Sequence, residues 1–82
     1  MGPQINITSP ENGSAVSQSF TEIIGTTKNV SDISMNDGKI YIDEKGNFHE
    51  KLLLFYGYNI IKFQAKDKFG RTVERTLELV YK

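Results

Sequence analysis

With 82 residues, ten basic against ten acidic side chains and a formal net charge of zero, the chain can fill one small domain and carries no bulk field to gather DNA, RNA or an anionic membrane. Apolar content of 38% with 24% charged residues is ordinary globular composition, which sets aside intrinsic disorder and fibrous repeats. Cysteine is absent, so there is no disulfide framework and no thiolate metal site, and packing alone must hold the fold.

Residues 4–8 (QINIT) alternate, with Ile5 and Ile7 on one face, and predict a strand that ends in the turn-forming stretch SPENGS. SFTEIIGTT, rich in β-branched and aromatic residues, predicts a second strand of open register, because Thr21 and Ile23 share one parity and Phe20 and Ile24 the other. Gly25 within it predicts a bulge or a close backbone approach. DISMNDGKIYID predicts a hairpin, since Asn36, Asp37 and Gly38 tolerate positive φ between two short β-prone runs. DEKGNF turns the chain around Gly46, and a strand opens at Phe48 and runs through the leucines to Leu54. After a break at Gly57, NIIKFQAKD alternates cleanly, KFG turns it, and TVERTLELVY closes the chain with Leu77, Leu79 and Tyr81 of one parity. No segment has a helical period. About seven short strands separated by turns predict a single all-β domain over residues 1–82, an antiparallel β-sandwich with a small closed barrel as the alternative.

Read in order, Ser9-Pro10, Gly13, Val16, Gly25, Gly38, Gly46, Phe48, Leu54, Gly57, Asn59, Ile61, Ala65, Asp67, Gly70 and Tyr81 follow a punctuation that resembles the bacterial immunoglobulin-like modules of the glucodextranase domain-B type. The resemblance implies an immunoglobulin-like sandwich from an extracytoplasmic bacterial protein, secreted or on the cell surface, in which such modules act as spacers, stalks or accessory binding domains. Two departures stand out. Asn36-Asp37-Gly38 occupies the place of a shorter Asn-Gly and predicts a turn one residue longer, and Phe55, Tyr56 and Tyr58 stand where the family has polar or charged residues.

Candidate sites are few. His49 is the only imidazole, and its parity between Phe48 and Glu50 predicts a solvent-facing position with no nucleophile to serve. Glu11, Asp32, Asp37, Asp43, Glu44 and Asp67 lie in or near turns without the spacing of a compact calcium loop, so they read as turn-stabilising carboxylates, with Asp67 capping the turn into Phe69-Gly70. The sequons at Asn6, Asn12 and Asn29 read as asparagines placed for backbone reasons. Lys62, Lys66, Lys68, Arg71 and Arg75 gather in the C-terminal hairpin but interleave with Glu74 and Glu78, as on a solvated sheet face, and Ile60 is the one outward apolar residue there.

The cluster Phe55, Tyr56 and Tyr58 is the expected binding feature, read either as a lid folded over the open end of the sandwich or as an exposed amphipathic patch. No apolar run approaches the roughly 18 residues of a membrane span, nothing resembles a signal peptide, and Met1-Gly2-Pro3 reads as a cloning start on an excised piece. The expectation is a non-catalytic module, a structural spacer or protein-interaction domain, with a carbohydrate-binding accessory module as the alternative. No catalytic residue, metal or cofactor is expected. The expected partners are protein or neighbouring domains, or carbohydrate under the alternative, with weak self-association through Tyr56 and Tyr58, no nucleic acid and no membrane insertion by this segment.

Overall fold

The computed structural model describes residues 1–82 as eight strands and no helix: β1 (Gln4–Ser9), β2 (Ala15–Val16), β3 (Phe20–Lys28), β4 (Asp32–Met35), β5 (Gly38–Ile40), β6 (Asn47–Leu53), β7 (Gly57–Lys66) and β8 (Thr72–Tyr81). They form a three-stranded sheet, β1-β3-β6, and a five-stranded sheet, β2-β8-β7-β4-β5, so the fold is an open sandwich and not a closed barrel. The strand beyond the seven read from the sequence is β2, two residues long and parallel to the end of β8. So short a run has no pattern of its own and becomes a strand only through its partner.

The alternation of β7 sets the core. Ile61, Phe63 and Ala65 point inward with Leu77 and Leu79 of β8, and Ile5, Ile23, Ile33, Ile40, Phe48 and Leu54 complete one buried cluster. Phe48 of one sheet meets Phe63 of the other with ring centroids 5.6 Å apart and planes at 41°. The open register of β3 resolves with Ile23 inside and both Phe20 and Ile24 outside. Gly25 is a close approach and not a bulge: a Cβ there would stand 2.6 Å from Cε2 of Phe48 and 2.8 Å from the Asn6 carbonyl. The register shift lies instead in β1, between Ile7 and Ser9.

The β4–β5 hairpin departs from expectation. Met35 pairs with Gly38, leaving a two-residue loop of Asn36 (φ 49°) and Asp37 (φ 69°), the two positive φ values of a type I′ turn. Asn36 and Asp37 take the turn and Gly38 opens β5, so the loop is not lengthened. The Asn36 side chain explains the choice, since its Oδ1 accepts the Lys62 N–H at 2.9 Å and ties the hairpin to β7.

The body is elongated, 40 × 19 × 19 Å. Gln4 pairs with Lys28 at one pole, and Tyr81 pairs with Gly57 at the other. The chain therefore enters at one pole and leaves at the opposite one.

Candidate functional site

Phe55, Tyr56 and Tyr58 cluster at the pole where the chain leaves. The loop that carries the first two crosses from the three-stranded to the five-stranded sheet. Leu54 keeps its backbone N–H on the Ser19 carbonyl at 2.7 Å, and its side chain is the last of the strand to enter the core. Gly57 then opens β7 with φ of 98°, a conformation that other residues adopt at a cost.

Between them, Asn59 grips the loop. Its Oδ1 accepts the Phe55 N–H at 3.0 Å, and its Nδ2 donates to the carbonyls of Phe55 at 2.9 Å and Gly57 at 3.0 Å. Three bonds from one half-buried amide satisfy a backbone that has left both sheets. They fix the loop without drawing its side chains inward.

The rings accordingly stay outside: Phe55 is 83% exposed, Tyr56 81% and Tyr58 60%. The lid reading does not hold. The end of the sandwich is closed by Leu54 and half-buried Tyr81, and Tyr56 touches Tyr81 only edge-on, centroids 5.7 Å apart at 72°. Nor do the three rings share one face. Phe55 and Tyr56 ride on the crossing loop, whereas Tyr58 lies on the outer face of the five-stranded sheet as cross-strand partner of Val80. Its hydroxyl donates to Glu78 Oε1, and that bond, with burial and the negative charge of Glu78 behind it, raises the phenol above its ordinary value.

Sequence parity missed part of this surface. Leu53 and Phe20 are cross-strand partners and both exposed, whereas Ile60, whose outward parity was legible, joins Tyr58 on the outer face of β7 as expected. Leu53 sits in a leucine run that hides its alternation, and Phe20 was legible only once the register of β3 was known. Asn59 stood out in the family punctuation, but its grip on Phe55 depends on three-dimensional proximity.

The remaining candidates have local duties. His49 is exposed and bonds to Glu22 at 2.7 Å. Asp67 is buried, which raises its pKa, but bonds from the Arg71 N–H and guanidinium and from the Phe69 N–H outweigh burial and hold it below the ordinary carboxylate value. The Asn47 N–H does the same for Asp43, against some desolvation and with help from Lys45. Asp32 pairs with Lys39 at 3.5 Å, and Asp37 lies 3.9 Å from Lys62. Asn12 accepts the Glu78 N–H at 2.7 Å, and Asn29 takes a φ of 57°. An open groove of about 580 Å³ crosses the outer face of the five-stranded sheet, lined by Asp32, Ser34, Lys39, Gln64, Lys66 and Glu74. Within it Asp32 pairs with Lys39 and the Gln64 amide donates to Glu74, polar contacts of the kind a solvated sheet face makes.

Comparison with known proteins agrees with this architecture. The fibronectin(III)-like modules of Clostridium thermocellum CbhA superpose with a TM-score of 0.69 at 16% identity, covering 96% of each chain. An engineered protein superposes with a TM-score of 0.71 at 18% identity over 98% of this chain, which corresponds to 19% of its own length. No curated protein sequence matches. The sequence model for domain B of glucodextranase matches residues 3–82, nearly the whole length, and the chain belongs to that family of immunoglobulin-like modules.

Proposed function

We propose that this chain is a non-catalytic module of a bacterial secreted or surface protein, a structural spacer whose exit pole docks on protein. The extracytoplasmic setting rests on the family, named for one domain of a glucan-degrading enzyme. The spacer role draws support from the opposite poles of entry and exit on a body 40 Å long, which adds its length to whatever it joins. Catalysis would need a nucleophile, a base and an orienting group within reach of one another, and His49 has Glu22 alone.

The observation that carries the docking role is the display of Phe55 and Tyr56 outside the core on a loop fixed by Asn59. A loop whose backbone is held before a partner arrives loses little backbone freedom on binding, which favours the rings it carries as anchors. Carbohydrate binding draws on the same rings. It is the weaker reading, because a sugar ring stacks on a flat face whereas Tyr56 stands at 72° to Tyr81 and the polar groove contains no aromatic side chain.

A photo-crosslinking residue placed at Tyr56 in producing cells is expected to join the module to protein, while the same residue at exposed Tyr41 does not. Absence of a protein adduct at Tyr56, together with retention on immobilised glucan that Tyr56→Ser abolishes, would replace this reading with the carbohydrate one.

A further inference from the structure

The outer face of the three-stranded sheet takes no part in the docking pole just described, yet it is unusually apolar. Phe20 is 54% exposed, Leu53 67% and Ile24 41%. The cross-strand register arranges this face in rungs. Phe20 lies beside Leu53, Glu22 beside Lys51, and Ile24 beside His49, all six pointing away from the core. Rungs two residues apart are about 7 Å from one another along the strands.

We propose that this face seats a second copy of the same chain, related by a two-fold axis parallel to the strands and midway between β3 and β6. A self-complementary surface must place each residue against a suitable partner under one symmetry operation. The axis chosen turns every rung end for end: Phe20 meets the partner copy's Leu53, Glu22 meets its Lys51, and Ile24 meets its His49. Apolar faces apolar on the first rung and acid faces base on the second. The other in-plane axis, across the strands, would set Glu22 against Glu22 and Lys51 against Lys51, and charge rules it out.

Size and net charge agree with this occupant. The exposed parts of Phe20, Ile24 and Leu53 amount to on the order of 300 Å² of apolar surface, within the range of the largest patch of a typical monomer. Two such faces, with the rung of Glu22 and Lys51 beside them, bury an area at the low end for a specific interface, as a weak and reversible dimer does. The formal net charge of zero leaves no long-range repulsion between copies. The strands of both copies run the same way, so the two docking poles stand side by side and present doubled rings to one partner.

Sedimentation across micromolar to millimolar protein at neutral pH tests the arrangement. The wild type is expected to show a reversible monomer–dimer equilibrium. Phe20→Glu and Leu53→Glu, each checked for an intact fold, are expected to weaken it at least tenfold, whereas Tyr56→Ser leaves it unchanged. Glu22→Lys and Lys51→Glu are each expected to weaken it about tenfold by setting like charges opposite, and the double exchange to restore it to within about threefold. A wild type that stays monomeric at millimolar concentration overturns the proposal, as does association indifferent to Phe20→Glu and Leu53→Glu. Single charge changes that weaken association without rescue by the double exchange overturn the two-fold geometry. Self-association that depends on Tyr56 instead would transfer the contact to the exit pole.

Discussion

The two poles of the sandwich solve the same problem with different chemistry. At the entry pole, carboxylates organise the loops: Asp43 Oδ1 accepts the N–H groups of Lys45 and Asn47, both at 2.9 Å, and Asp67 Oδ1 those of Phe69 and Arg71 at 2.9 and 2.8 Å. At the exit pole one neutral amide, Asn59, does the work. A carboxylate can only accept bonds, so it gathers N–H groups into tight turns, whereas an amide also donates and can hold a loop by its carbonyls. The first kind of clasp depends on ionisation and the second does not. The difference teaches which pole responds to its surroundings and which offers a constant surface.

The largest effect that bears on this comparison lies between the poles. Both hang on one core, so Phe63→Ala is expected to cost about 3–5 kcal/mol and to bring both poles apart in a single transition. Denaturant melts followed by the amide signal of Phe55 at the exit pole and by those of Phe69 and Arg71 at the entry pole should coincide. Separate midpoints would mean that the poles are independent units.

Asn59→Ala comes next, at about 1–3 kcal/mol, because it leaves backbone groups of the crossing loop without partners. Faster amide exchange at Phe55, with Phe69 and Arg71 unchanged, would confirm that the clasp is local. No change at Phe55 would show that sheet ends alone hold the loop.

Acid should separate the poles in the opposite sense. The pKa values of Asp43 and Asp67 are depressed in the folded state, so their contribution is present above the unfolded value near 4 and is lost as pH falls through the lower folded values. Below about pH 4, amides of Asn47, Phe69 and Arg71 are expected to lose protection while Phe55 keeps its own. Equal loosening at both poles would contradict the division of labour.

The smallest effect belongs to the rings. Tyr56→Ser with Tyr58→Ser is expected to lower stability by less than about 1 kcal/mol, as surface changes do. A larger loss in thermal melts would return these side chains to the role of a lid.

Where one face of a strand was apolar and the other polar, the fold was legible in the sequence. Ile61, Phe63 and Ala65 against Lys62, Gln64 and Lys66 are enough to set the parity of β7. That contrast fails in β3, where Phe20 and Ile24 are apolar and outward, so the ambiguity of register and the exposed apolar face are one fact seen twice. Strand β2 was illegible because its two residues are ordered only by β8, some 65 positions later. At the candidate site, the presence of surplus aromatics was legible and their exposure was not. Exposure turns on where Asn59 reaches, and no periodicity records that. The hairpin was legible but the length of its loop was not, because Asp37 takes the positive φ that glycine was expected to supply, with Asn36 held by Lys62.

Entry and exit at opposite poles have a mechanical consequence. Strand β1, the first to leave one pole, is bonded along its length to β3, and β8, the last to reach the other, lies between β7 and the short parallel β2. Tension between the chain ends therefore drags β1 and β8 along their own axes, at right angles to their interstrand bonds, and loads each ladder all at once. Neither strand can peel away one bond at a time, and the two sheets, locked through Phe48 and Phe63, share the load. A module so threaded behaves as a stiff link, holding its length under pull until a whole ladder slips.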